Sequence, residues 1–285
     1  MEVGFVLADV FTERPFAGNQ LCVVPEPPGD LTSEQMQTLA QEIGFSETTF
    51  VTHATGDRYE MRIFTPAAEL PFAGHPTLGT AFTLVTEGRV NQQATQTTTA
   101  GDVPVEVDLE RGVAVMQQLP PRFGDEFNEL ELVGRATGLG PEDVHQDLPM
   151  QVISTGLAPL LVPVRDEATL RRAERNGRAC AEAAERAGAE CLYLFAIRGP
   201  GDVTARMFDP VMGIGEDPAT GSAAGALGAY LAQRGTAGMP GSIVIAQGEM
   251  VGRPSFLHVE VQRDHDWVVR VGGGVRIVGD GVFRW

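Results

Sequence analysis

The chain has 285 residues, 43% hydrophobic and 21% charged, and its formal charge of −17 sets 38 acidic residues against 21 arginines, with no lysine at all. Without lysine nothing can hold pyridoxal phosphate or another Schiff base, and no P-loop is possible; an acidic chain with no basic block also argues against nucleic acid and anionic membrane, which clustered positive charge would have to bind. No apolar run approaches the roughly 18 residues that cross a bilayer, and Met1–Asp9 lacks the basic start of a signal peptide, so the expectation is a cytoplasmic protein with a small-molecule substrate, long enough for two domains of roughly 100–150 residues each.

In chain order, Met1–Val10 and Gln20–Val24 read as strands around the turn Arg14–Asn19. Leu31–Ile43 reads as a helix with a Thr/Ser start and Gly44 as its stop. Phe45–His53 and Arg58–Phe64 alternate as paired strands. A glycine turn then leads into Pro76–Val85, apolar nearly all round and so expected at the centre of a domain. Thr95–Leu119 carries two strands, Val103–Leu109 and Gly112–Met116, and Pro120–Asn128 reads as a turn-rich linker before a short helix at Glu129–Thr137. Asp166–Gly188 reads as one or two solvated helices broken at Asn176-Gly177, with its arginines on a salt-bridged face. Cys191–Arg198, Val203–Phe208, Ser242–Gln247, Phe256–Gln262 and Trp267–Val271 complete a second set of strands. With 34 glycines and 19 prolines this makes an α+β fold.

Cys22, Cys180 and Cys191 form no CxxC pair and read as buried free thiols. The five histidines show no HxxxH spacing, and Asp264-His265-Asp266 reads as an exposed hairpin turn, so neither a metal nor another cofactor is expected.

An internal repeat organises the rest. Arg62-Ile-Phe-Thr-Pro66 is answered by Arg206-Met-Phe-Asp-Pro210, and Ala73-Gly-His75 by Thr220-Gly-Ser222, at offsets of 144 and 147 residues. Each copy reads strand, proline turn, glycine, then a buried helix of small residues (Pro76–Val85 and Ala223–Leu231). The expected architecture is two pseudo-symmetric domains, each a β-sheet or barrel wrapped round a central helix. Residues 1–118 form the first half and 119–273 the second, with 274–285 a candidate strand returning to the first.

Two glycine turns, at Gly74 and Gly221, would then open two buried helices toward one cleft. Unpaired amides and positive helix ends there can bind a carboxylate without lysine or arginine. Asp209, between Phe208 and Pro210, is held extended and its carboxylate aimed, whereas Glu216 and Asp217 are as well explained by helix-end charge. Glu47 lies in Gly44-Phe-Ser-Glu-Thr-Thr-Phe-Val51, where partial desolvation would raise its pKa and let it take and return a proton.

These residues closely resemble the PhzF-like family of phenazine biosynthesis, named for trans-2,3-dihydro-3-hydroxyanthranilate isomerase. The resemblance runs through Asp9–Gln20, Gly44–Val51, Leu70–Leu78, Ser154–Pro159 and Phe208–Ala223, with Glu216-Asp-Pro-Ala-Thr-Gly-Ser222 the most specific run. It implies a diaminopimelate-epimerase-like fold, usually a homodimer, and a cofactor-independent isomerase. The family's catalytic glutamate falls on Glu47, its histidine on His75 and its aspartate before proline on Asp209. Its substrate-holding serine falls on Ser222, beside Gly74, Thr220, Gly221 and Asn19. The other branch of the fold, racemases with paired cysteines, would place its thiols at Ala73 and Thr220 and is disfavoured. An isomerase or epimerase of another small amino or hydroxy acid, or a silent protein binding a small anion, are the alternatives.

Overall fold

The computed structural model describes residues 1–71, 73–99, 101–210, 215–235, 241–263 and 265–285. Phe72, the 211–214 stretch of the Phe208–Ala223 run, and Asp264 of the expected hairpin turn lie outside the described residues.

The first half comprises β1 (Glu2–Val10), β2 (Asn19–Val24), α1 (Ser33–Ile43), β3 (Glu47–Thr55), β4 (Arg58–Phe64), β5 (Glu69–Leu70), α2 (Gly74–Thr86), β6 (Gln93–Thr98), β7 (Gly101–Asp108) and β8 (Val113–Gln117). The second comprises β9 (Arg122–Phe127), α3 (Leu130–Thr137), β10 (Met150–Ser154), β11 (Pro159–Pro163), α4 (Glu167–Arg172), α5 (Gly177–Ala187), β12 (Cys191–Gly199), β13 (Asp202–Phe208), β14 (Glu216–Asp217), α6 (Gly221–Gln233), β15 (Ser242–Gln247), β16 (Ser255–Arg263) and β17 (Trp267–Arg284).

The halves match pairing for pairing. β2 runs parallel to β3 across α1, and β11 runs parallel to β12 across α4 and α5. β3, β4 and β5 are antiparallel neighbours, as are β12, β13 and β14. β4 returns parallel to β6 across α2, and β13 to β15 across α6. A meander then closes each half, β6-β7-β8 and β15-β16-β17. The central helices are the two 13-residue segments Gly74–Thr86 and Gly221–Gln233, whose side chains are buried on nearly every face. A helix buried all round must be apolar all round or must satisfy its polar groups internally. In α2 the hydroxyls of Thr77, Thr83 and Thr86 return to the carbonyls of Ala73, Gly79 and Phe82 at 2.8–2.9 Å, and Thr80 meets Thr49 at 2.8 Å.

The repeated Arg and Phe have the same structural cause in both halves. Arg62 grips Glu69 through two bonds of 2.6–2.7 Å and lies 5.0 Å over the Phe64 ring. Arg206 grips Glu216 at 2.7–2.9 Å and lies 4.8 Å over Phe208. Each clamp ties the short return strand β5 or β14 against β4 or β13, directly ahead of the central helix.

Strands β5, β10, β11 and β14 have no counterpart in the sequence reading, and three further elements differ from it. The expected linker is largely the strand β9, in which Gln151 pairs with Glu126 and Met150 with Phe127; its half-exposed, polar residues hid it. Thr95–Leu119 belongs to three strands rather than two, because β6 is polar as well. The strand expected at Trp267–Val271 continues to Arg284 and pairs successively with β16, β8 and β1, so it belongs to both halves.

Candidate active site

The central helices meet end to end at their N-termini. A Cβ placed on Gly74 would lie 2.7 Å from the Ser222 amide nitrogen and 3.1 Å from the Gly221 carbonyl carbon, so only glycine lets the two first turns approach this closely. Side chains cap three of the four peripheral helices, Thr32 on α1, Asp166 on α4 and Asn176 on α5, while Glu129 leaves α3 uncapped. Ala73 and Thr220, the N-caps of α2 and α6, provide no such bond. The first-turn amides of both buried helices are thus left to whatever occupies the space before them.

That space is a narrow cleft lined by Glu47, Leu70, Ala73, Gly74, His75, Leu157, Met207, Asp217, Thr220, Gly221 and Ser222. Seven of the predicted site residues stand together here or at its edge: Glu47, His75, Gly74, Gly221, Ser222 and Thr220 line it, and Asn19 lies behind its wall. Among the described residues no three His, Cys, Asp or Glu side chains are placed to hold a metal ion.

Glu47 opens β3, and its Oε2 is buried without a hydrogen-bond partner, 3.3 Å from His75 Nδ1. Burial first, then the charge of Asp217 and that of Asp209, push its carboxyl well above the ordinary 4.5, against the pull of the Ser46 hydroxyl. His75 is the second residue of α2, and burial pushes its imidazole down to about 3 even though a backbone bond to Gln20 opposes this. The ring is therefore neutral. Its Nε2 lies 3.3 Å from the Gln20 carbonyl, which only accepts, so that nitrogen carries the hydrogen and Nδ1 turns a lone pair toward Glu47. An ionised Glu47 would set lone pair against lone pair, whereas a protonated carboxyl can donate. The same geometry that buries Glu47 also gives its proton a resting place.

Asp209 is not where the sequence reading put it. It is fully buried and does not line the cleft; its Oδ2 accepts from the Gly215 amide at 3.4 Å and its carbonyl from Arg175 Nε at 2.8 Å. The aspartate on the cleft wall is Asp217, which the sequence reading treated as helix-end charge. The chain holds two Asp-Pro pairs, Asp209-Pro210 and Asp217-Pro218, and the second sits inside the most specific motif; that was the available signal. Asp217 accepts from Asn19 Nδ2 at 2.8 Å and from Thr220 Oγ1 at 2.6 Å. Burial pushes its carboxyl up to about 6, with the Thr220, Asn19 and Ser46 bonds pulling down and Asp209 adding a push upward. Glu216 is absorbed in the Arg206 clamp.

Three further residues escaped sequence reasoning because their neighbours are distant in the chain. Gln118 donates to the Gly221 carbonyl at 2.8 Å, and the one hydroxyl hydrogen of Thr155 lies between Gln118 Oε1 at 2.6 Å and the Ser222 carbonyl at 3.0 Å, fixing the first turn of α6 from behind. Gln247 does the same for the approach to α6, donating to the Asp217 carbonyl at 2.8 Å while Tyr193 holds its oxygen at 2.9 Å.

The fold that brings these two half-copies together is shared by an epimerase of known structure. A hydroxyproline epimerase from Agrobacterium vitis shares the fold at TM-score 0.68, covering 99% of this chain and 91% of that one at 14% identity. The chain itself belongs to the phenazine biosynthesis-like protein family, whose model matches residues 8–282. An uncharacterized isomerase of Deinococcus radiodurans is 36% identical, covering 96% of this chain and 92% of the relative. Trans-2,3-dihydro-3-hydroxyanthranilate isomerase of Pseudomonas chlororaphis is 34% identical over 98% and 96%. A PhzF-family phenazine biosynthesis protein of Bacillus anthracis superposes at TM-score 0.88 over 100% of both chains, at 27% identity. The protein is a PhzF-like isomerase with a diaminopimelate-epimerase-like fold.

Proposed function

We propose that the protein isomerises a small cyclic amino acid by moving one proton between two carbons, with Glu47 as the acid and base. The observation that carries this reading is the buried Glu47 Oε2, which has no hydrogen-bond partner and lines a cleft faced by two uncapped helix N-termini. The amides of those first turns and the Ser222 hydroxyl hold the substrate carboxylate. Asp217 still has lone pairs free after accepting from Asn19 and Thr220, and these receive the substrate ammonium. Substrate entry releases the resting Glu47 proton to solvent, and the carboxylate then takes a proton from one ring carbon and, exchanging it with solvent while it resides on the carboxyl, delivers a proton to another. Nothing is consumed, and no electron acceptor is required. Neutral His75 aims the carboxyl and relays its proton.

The 34% identity to trans-2,3-dihydro-3-hydroxyanthranilate isomerase supports a substrate of that kind. The places where a two-thiol racemase carries cysteine are Ala73 and Thr220 here, and all three free cysteines are buried away from the cleft lining. Resemblance to the family also supports a homodimer working in the cytoplasm; light scattering tests the first and fractionation the second.

The test is solvent deuterium uptake into trans-2,3-dihydro-3-hydroxyanthranilate beside calorimetric affinity, for wild type and Glu47→Gln. Glutamine keeps the size and reach but cannot take the proton. Binding is expected to survive and turnover to fall by about a hundred to ten thousand fold. Near-normal turnover in Glu47→Gln overturns the assignment.

A further inference from the structure

Asn19 was read from sequence as a substrate contact, but both of its amide hydrogens are spent elsewhere and it does not line the cleft. It is fully buried and absent from the cleft lining. Its Oδ1 accepts from Ser46 at 2.6 Å, and its Nδ2 donates to Asp217 Oδ1 at 2.8 Å and to the Ala219 carbonyl at 2.9 Å, while facing His75 Nδ1 at the longer 3.3 Å. An amide has two hydrogens, and both go to the opposite half of the molecule. Ser46 and His75 belong to the first half, Asp217 and Ala219 to the second.

The backbone leading into Asn19 is tied across the same boundary. Arg253, from the second half, donates to the Gly18 carbonyl at 2.9 Å and the Ala17 carbonyl at 2.8 Å, and pairs with Asp9. The Gly18 amide in turn donates to Pro254 at 3.1 Å. A side chain on an anchored backbone, spending both donors across the boundary, fixes the two cleft walls relative to each other.

We infer that Asn19 is a positioning residue that bonds the two halves together across the cleft, holding Asp217 in register with His75 and Glu47. This rests on the reading of Glu47 as the proton carrier. The titratable and charged groups facing Glu47 are His75 from α2 and Asp217 from β14, with Asp209 behind them at the end of β13. Asn19 acts on that set through Asp217, whose ionised form its amide favours.

Two readouts test it. The first needs no substrate: the Asp217 carboxyl, followed by carbon NMR, titrates higher in Asn19→Ala than in wild type by about one pH unit, the worth of one hydrogen bond to a charged group. Asn19→Asp is expected to move it higher still once the new carboxyl ionises. An unmoved Asp217 titration overturns the proposal. The second is turnover of trans-2,3-dihydro-3-hydroxyanthranilate. Asn19→Ala is expected to lower kcat about ten to a hundred fold with KM within threefold, and Asn19→Asp to retain activity below neutrality and lose it above. A larger effect on KM than on kcat would mean that Asn19 contacts substrate, and overturns the inference. Glu47→Gln run alongside separates the two ideas: if it stays active the proposed function falls, and if it is inactive while Asn19→Ala behaves as wild type the Asn19 role falls alone. Should Asn19→Ala fail to fold, Asn19→Asp, which keeps the size of the side chain, carries the test alone, and an unmoved Asp217 titration in it overturns the inference equally.

Discussion

Glu47 has a structural twin that shows how one repeat acquired two different ends. In the first half Leu21 of β2 pairs with Glu47; in the second Pro159 of β11 pairs with Cys191, at the 144-residue offset of the repeat. Burial, followed by the charges of Glu190, Asp217 and Asp209, pushes the Cys191 thiol well above its ordinary 9.0, so this twin is chemically silent. His75 and Ser222 likewise occupy equivalent second positions of α2 and α6. The cleft is symmetric in backbone and asymmetric in chemistry. Holding Glu47 there costs stability, with a definite sign. Its folded pKa lies above its unfolded value of 4.5, so its contribution is fully present below about pH 4.5 and is lost as pH rises toward the folded value. Asp217 adds the same sign between 3.8 and about 6. Glu47→Gln is therefore expected to melt higher than wild type at pH 8, the gap closing as pH falls to 4.5; calorimetric scans across that range check it, and a gap that widens toward acid contradicts the ionisation state argued here.

The central helices were legible as buried segments because their composition leaves no polar face, and α1 because Thr32 and Gly44 mark both ends. What could not be read was that α2 and α6 abut. That contact rests on Gly74 meeting the backbone of Ser222 and Gly221, residues nearly half the chain away. Gly74→Ala is expected to force the first turns apart, destabilising by about 1–3 kcal/mol, the usual cost of overpacking, and weakening carboxylate binding. Gly29→Ala is the control, since a Cβ there meets nothing within 4 Å and its φ is not positive. Urea titration of both variants decides the matter; equal midpoints would mean the helix ends have room to part. The two-residue strands β5 and β14 were illegible for a different reason. They are too short for any period, and only the Arg62–Glu69 and Arg206–Glu216 clamps identify them as equivalents.

At the scale of the molecule, β17 is the splice. Its first part completes the β15-β16 meander, its middle lies beside β8, and its last part pairs Val275 through Arg284 with Val10 through Glu2. A chain cut after Gly273 would strip the outer partner from β1, loosening Val3 from the Phe50–Phe64 cluster on one face and Ala8 and Val10 from the main core on the other, and leave β2 to hold the edge alone. Such a chain is expected to lose cooperative unfolding, with circular dichroism and calorimetry showing a broad transition; a sharp melt near the wild-type temperature would mean the first half folds without it. The absence of lysine, the repeat, the buried helices and the candidacy of Glu47, His75 and Ser222, which all line the one cleft, were legible in sequence, because composition, period and local motif are properties of neighbouring residues. Tertiary structure put Asp217 rather than Asp209 on the cleft wall, spent the Asn19 amide on bonds to the second half, and joined the halves through β17. Each of those depends on which atoms meet across more than a hundred residues of chain, and two Asp-Pro pairs that look alike in sequence differ only in what the fold packs against them.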